Sequence, residues 1–285
     1  MNNKISIKNL NFKYKNDSEL VLKNININIE KNKIFGLLGP SGAGKTTLMK
    51  LITGQLCDKK GCVFIDGKKV TEYKNDLYQK FGIVMDSLGL YDRLTCYENV
   101  MLFAKIHNVA DFEVKEVLEL VGLKESMNKK VLHISTGMKQ RVMIARAIIH
   151  SPEILLLDEP TRGLDPTTAN EIHNLIMDIK NNGTTVLLTT HNMEETEKLC
   201  DNIALINNGY IIENDTPENI KRKYFKDGLV KVYTKDSKEE KVDFLEKPNE
   251  LIDMIKRKKI VTIHSQEPSL EEIFINLTGE QLNDK

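Results

Sequence analysis

Apolar positions along the chain follow two different periods. Over residues 5–7 and 25–29 they alternate with polar ones, the two-residue repeat of strands with one wet face, so antiparallel strands are expected there. Residues 34–38 are continuously apolar and stop at Gly39, which predicts a buried parallel strand running into a glycine-rich turn, followed by a helix over 46–52. Two further buried runs lie at 154–157, ending in Asp158, and at 185–189, ending before His191. Strands whose C-terminal ends all carry polar, chemically capable residues make the working rim of an open α/β sheet. Between residues 90 and 149 the period changes to that of helices, at 98–107, 112–121 and 138–149. This stretch, about 87–150, reads as a helical subdomain inserted into a sheet domain that spans 1–220. Past Pro217 the chain becomes more charged. Short strands at 229–233 and 260–263 flank a helix over 249–257, so a small α/β appendage is expected over 228–285.

Composition narrows the partners. The 285 residues are 40% hydrophobic and 29% charged, as in ordinary globular proteins, and 41 Lys plus Arg balance 41 Asp plus Glu. No global field draws such a chain to nucleic acid, and the basic clusters at 221–223 and 256–259 sit among acids as solvated helix faces. The apolar runs are too short to span a bilayer, and the first ten residues lack the apolar stretch of a signal peptide. Cys57, Cys62, Cys96 and Cys200 show no CxxC spacing, which fits reduced cytosolic thiols. A membrane role would have to come through a partner.

The chemistry begins at Gly39. Gly39, Pro40, Ser41, Gly42, Ala43, Gly44, Lys45 and Thr46, with Thr47 after them, satisfy G-x-x-x-x-G-K-[ST] between a strand and a helix. The glycines let backbone N–H groups converge on phosphate oxygens, and the helix start adds a favourable dipole. Lys45 supplies a point charge to the β- and γ-phosphates, and the Thr46 hydroxyl is a ligand for Mg²⁺. In the run at 154–160, ILLLDEP, Asp158 is expected to hold Mg²⁺ directly or through water, and Glu159 to polarise the attacking water as general base. His191, after the third buried strand, is placed to contact the γ-phosphate or orient that water.

The order of these motifs resembles the nucleotide-binding subunit of ABC transporters over nearly the whole chain. ISTGMKQR at 134–141 corresponds to the family signature LSGGQ, and is followed by ILLLDEP, by GLD at 163–165 and by His191. The resemblance implies an α/β P-loop NTPase core: a mixed sheet with an antiparallel β edge, an inserted helical subdomain and a small C-terminal α/β appendage. It implies ATP and Mg²⁺, and a head-to-tail dimer with a second copy or a related ATPase subunit, in which Ser135 and Gly137 close over the partner's ATP. A helix start offering Ser135 and the N–H of Gly137 is in its own right a second anion site. Tyr14 matches the aromatic residue that stacks on adenine, and Asp165 the loop that communicates between the paired sites.

Two departures from the family pattern stand out. Thr136 and Met138 replace the more usual Gly and Gln, an STGM form similar to drug, peptide-antibiotic and sodium exporters. Asp86 occupies the position of a Gln that touches Mg²⁺ and the water. An acidic residue there is similar to the lantibiotic self-protection branch, and it is expected to slow hydrolysis or tighten coupling to a particular permease. Residues 89–97 would face that permease's cytoplasmic helices. EPSLEEIFINLTG at 267–279 resembles the closing motif of antibiotic-resistance and sodium-export ATPases, where a small C-terminal domain serves dimer contacts or regulation.

The expected function is therefore ATP hydrolysis that powers a separate transmembrane permease from the cytoplasmic face of the membrane, exporting drugs or antimicrobial peptides. A soluble ABC-type ATPase and a nucleotide sensor without turnover are the alternatives. Balanced charge, with no coiled coil or zinc module, weighs against the first, and Glu159 weighs against the second. Substrate and direction belong to the permease.

Overall fold

The computed structural model describes residues 2–15, 19–57, 62–74, 76–85, 89–225, 229–234, 239–243, 245–257, 259–265 and 268–279. It divides into a unit that runs to Asn214 and a second over Asp215–Gln281.

The first unit opens with β1 (Asn3–Phe12) and β2 (Leu22–Glu30), paired antiparallel as their alternation predicts. Next come β3 (Ile34–Leu38), α1 (Lys45–Ile52), β4 (Val63–Ile65), β5 (Lys68–Lys69) and β6 (Phe81–Val84). Then follow α2 (Cys96–Ile106), α3 (Asp111–Leu120) and α4 (Thr136–Ile148), the helices expected between 90 and 149. The chain returns through β7 (Ile154–Asp158), α5 (Pro166–Asn181), β8 (Thr185–Thr190), α6 (Met193–Leu199), β9 (Asn202–Asn207) and β10 (Tyr210–Asp215). Among the described residues no helix is long and apolar enough to cross a membrane.

Two sheets share one core. The antiparallel strands form a four-stranded sheet in the order β2-β1-β4-β5, and the six-stranded sheet runs β10-β9-β3-β8-β7-β6. Inward-facing Ile5, Ile7 and Leu10 of β1 and Ile25, Ile27 and Ile29 of β2 pack with Phe35, Leu37, Leu48 and Leu51 in a single buried cluster. β3 lies between β8 and β9, parallel to both, and β7 is parallel to β8. All five residues of β3 and all six of β8 are buried, which is why these strands read as unbroken apolar or Thr-rich runs. Parallel neighbours bring their C-terminal ends together. The turn after β3, Asp158 and Glu159 at the end of β7, and His191 after β8 therefore meet on one edge.

A charge cluster joins the sheets at the other side of the core. Lys4, 5% exposed, donates to Asp66 at 2.8 Å and to Glu153, while Lys80 donates to Glu153 at 2.6 Å and Lys31 lies 3.3 Å from Asp66. Burial alone would raise the Asp66 carboxyl, but Lys4 and Lys31 outweigh it and hold the pKa below its ordinary value. Burial also opposes ionisation of Glu153, and Lys4 and Lys80 likewise lower its pKa. Groups lowered in the folded state contribute stability above their unfolded pKa and lose it as pH falls through the folded one. Lys4→Met is therefore expected to cost about 1–3 kcal/mol near pH 7. It should also flatten the loss of stability below about pH 4. Urea unfolding between pH 3 and 7 reads both effects, and an acid limb as steep as wild type would refute the assignment.

The second unit comprises α7 (Pro217–Tyr224), β11 (Leu229–Thr234), β12 (Glu239–Asp243), α8 (Pro248–Lys256), β13 (Ile260–Ser265) and α9 (Leu270–Thr278). Its antiparallel sheet runs β12-β11-β13, with Val230, Val232, Val242 and Met254 as core. Within this unit α7 and α9 pack together, and Ser269 and Glu272 form a reciprocal capping box that starts α9. The division falls after Asn214, so α7 goes with this unit, whereas the sequence pattern put residues 217–220 with the first.

Candidate functional site

The phosphate loop emerges from the centre of the six-stranded sheet. Gly39 is buried with no room for a side chain, since a Cβ there would overlap the carbonyl oxygen of Ile206 in β9. Pro40, Ser41, Gly42 and Ala43 carry the chain round to Gly44, whose φ of 109° starts α1. No side chain caps this helix. The N–H groups of its first turn, from Lys45 to Thr47, are the kind that bind phosphate oxygens. Lys45 folds back over the loop and donates to the carbonyls of Gly39 at 2.6 Å and Pro40 at 3.1 Å. The Thr46 side chain is exposed and Thr47 is buried.

Tyr14 lies beside this loop. Its hydroxyl shares a 3.1 Å hydrogen bond with Thr47 Oγ1, and its ring meets Phe12 edge-on at 5.2 Å between centroids. Tyr14 is 36% exposed, and its hydroxyl contact places it next to the start of α1. Stacking on a purine needs that placement.

The acidic pair stands at the end of β7, with Asp158 its last residue and Glu159 the next. Thr189 of β8 donates to Asp158 Oδ1, which orients the carboxylate. Glu159 adopts a φ of 51°, in the left-handed region, at a cost of about 1 kcal/mol for a residue with a side chain. Its N–H donates to the Thr189 carbonyl at 2.9 Å, and its Oε1 lies 2.9 Å from His191 Nδ1. The turn thus aims a mostly buried carboxylate, 13% exposed, at an imidazole that is 34% exposed. A carboxylate oriented by an imidazole nitrogen is a competent acceptor for a water proton. Thr46 and Asp158 together offer the hard oxygen donors that Mg²⁺ takes.

Beneath them lies a cluster the sequence pattern did not disclose. Glu195, 2% exposed on α6, accepts from Thr161 at 2.7 Å and lies 3.1 Å from His173 Nε2 of α5. The bond to Thr161 pins the chain two residues beyond Glu159. In the sequence, Glu195 is one acid in the charged run MEETEKL, and only its tertiary partners distinguish it.

Ser135 and Gly137 belong to a different edge of the site. Ser135 caps α4, accepting from the Met138 N–H at 3.3 Å, and is exposed. Asp165 caps α5, taking the N–H groups of Thr167 and Thr168 at 3.1 and 3.0 Å. The Thr168 hydroxyl first, then those amides, hold the Asp165 carboxyl below its ordinary pKa. Further along α4, Arg146 donates to the carbonyl of Gly89 at 2.6 Å and covers the ring of Phe103. The helix that opens at Ser135 therefore also holds residue 89, the first described residue after 85. Asp86 itself lies outside the described residues.

Thus Lys45, Thr46, Tyr14, Asp158, Glu159 and His191 gather around the loop after β3. The close contacts of Ser135, Gly137 and Asp165 run among α4 and α5. Comparison with known proteins identifies the family. Residues 22–162 match the family profile described as ABC transporter. A fluoroquinolones export ATP-binding protein of Mycobacterium tuberculosis is 35% identical over 98% of this chain and 94% of its own length. The linearmycin resistance ATP-binding protein of Bacillus subtilis is 33% identical over 96% and 98%, respectively. Among solved structures, cbiO1 of Clostridium perfringens, part of an ABC transporter complex, superimposes with a TM-score of 0.71 at 28% identity, covering 78% of this chain and 94% of that one. An ATP-binding cassette seen as a dimer in a post-hydrolysis state with ADP and Pi gives a TM-score of 0.66 at 30% identity, covering 74% of this chain and 98% of that one.

Proposed function

Because this chain belongs to the ATP-binding subunits of ABC transporters, we propose that it powers a separate membrane permease that exports drug-like or peptide antimicrobials. That it binds and hydrolyses ATP follows from the family. The export class is supported by relatives matched over almost their full length, whose names refer to fluoroquinolone export and linearmycin resistance. A bacitracin transport ATP-binding protein of Bacillus licheniformis, 33% identical over 92% of this chain and 94% of its own length, points the same way.

The observation that carries the catalytic reading is the Glu159–His191 pair beside the phosphate loop. In this reading the first-turn amides of α1 and Lys45 bind the triphosphate, with Tyr14 against the adenine. Thr46 and Asp158 would hold Mg²⁺, which would supply positive charge against the phosphates. Glu159 takes a proton from the attacking water, while His191 keeps the carboxylate in line. Ser135 and Gly137 complete the site of a second copy, and the dimer of the similar cassette supports that pairing. The acid at residue 86, where the family pattern has Gln, slows hydrolysis or tightens coupling to a particular permease. The unit over 215–281 serves dimer contacts or regulation.

Phosphate release by the purified chain tests this directly. Turnover is expected with ATP and Mg²⁺ and should vanish with EDTA. Asp86→Gln should change the rate severalfold. Turnover that persists in EDTA would refute the metal assignment, and an unchanged Asp86→Gln rate would remove Asp86 from the site.

A further inference from the structure

Gly137 is a glycine without a backbone reason. It sits in the first turn of α4 with ordinary helical geometry, outside the set of residues with positive φ. Glycine at such a position costs up to about 1 kcal/mol relative to alanine. The reason lies across the helix pair. A Cβ on Gly137 would overlap the Thr168 methyl carbon, with Thr168 Cβ at 3.6 Å and Oγ1 at 3.7 Å behind it.

Thr168 cannot swing that methyl away cheaply. Its hydroxyl donates to Asp165 Oδ2 at 2.6 Å, and its N–H donates to Asp165 Oδ1 at 3.0 Å. On a β-branched residue, fixing the hydroxyl also fixes the methyl. The hydroxyl thus faces the Asp165 loop and the methyl is pressed onto Gly137. A second rung lies one turn further along both helices, where Arg141 of α4 donates to Glu171 of α5 at 2.5 Å and to the Val121 carbonyl at 2.9 Å.

We propose that Thr168 is a positioning residue that locks the Ser135–Gly137 end of α4 to the Asp165 loop, so that both elements presented to a second copy's ATP move as one body. The inference rests on the head-to-tail reading given above. It extends that reading by naming the joint inside one chain. A change felt at Asp165 is passed to the signature helix through one side chain, with the hydroxyl as one contact and the methyl as the other.

The two contacts can be cut separately. In a Glu159→Gln background, the ATP concentration that gives half-maximal dimer is read by size exclusion with light scattering. Thr168→Val keeps a methyl toward Gly137 and removes the bond to Asp165, whereas Thr168→Ser does the reverse. Each is expected to raise that concentration roughly five- to tenfold, while a fluorescent ATP analogue binds the dilute monomer as before. Gly137→Ala should weaken dimerisation because the new methyl meets Thr168, and Gly137→Ala with Thr168→Ser should recover it, because the serine vacates the space. Rescue of that kind is not produced by a general loss of stability. Both single Thr168 variants dimerising at the parent's ATP concentration, or a double variant no better than Gly137→Ala alone, would overturn the proposal. If the Glu159→Gln parent stays monomeric in saturating ATP, the head-to-tail reading itself fails and the Thr168 proposal falls with it.

Discussion

Glu159→Gln is expected to lower ATP turnover by about 10²–10⁴-fold while leaving ATP binding intact, and to trap a nucleotide-bound dimer. The amide preserves the size of the side chain and can still bond to His191, so the left-handed turn at residue 159 has no steric reason to change. What disappears is the ability to accept the water's proton. Since the substituted site still holds the triphosphate, the state that hydrolysis would normally dissolve persists. Single-turnover phosphate release together with light scattering in ATP measures both consequences. A turnover within about tenfold of wild type would move the base to another residue. His191→Ala makes a useful companion, because it frees the Glu159 carboxylate without removing it and should cost less than Glu159→Gln.

Lys45→Ala is expected to weaken ATP binding by roughly 10- to 100-fold and to bring hydrolysis near background. The ammonium already sits on the loop, held by the carbonyls of Gly39 and Pro40, so little side-chain ordering remains to be done on binding. Alanine removes the point charge and the Lys45 bond to the Gly39 carbonyl, while Pro40 still accepts from the Ala43 N–H at 3.2 Å. Lys45→Arg should rescue poorly, because a planar fork does not replace a compact ammonium folded over a tight loop. Calorimetry with ATP decides the matter, and affinity within twofold of wild type for Lys45→Ala would remove this residue from the phosphate site.

Much of this arrangement is legible in the sequence because it rests on local patterns. β3 with its loop, β7 ending in Asp158 and β8 before His191 are continuous apolar or Thr-rich runs that end in chemistry, and their parallel packing brings those ends together. The alternation over β1 and β2 is equally plain. β12 escapes such reading because EEKVD is a charged segment whose buried Val242 has meaning only opposite Val230. The burial of Glu195, the Thr189 bond to Asp158 and the Thr168 methyl against Gly137 join residues 22 to 34 positions apart. No periodicity encodes such pairs, because each is decided by where two separately legible elements come to rest.

The place of β3 in its sheet has a consequence for how the protein is made. Its two neighbours, β8 and β9, lie at Thr185–Thr190 and Asn202–Asn207, so both edges of the strand that launches the phosphate loop await a part of the chain synthesised much later. At ribosomal speeds of about 5–20 residues per second, that wait is roughly 10–30 s. Throughout it IFGLL is an unpaired apolar strand, the kind of segment that nascent-chain chaperones cover and that aggregates when they do not. Nucleotide can therefore help this fold only after translation has passed β9, and a ribosome stalled earlier would hold a chain whose most recognisable motif cannot yet bind anything.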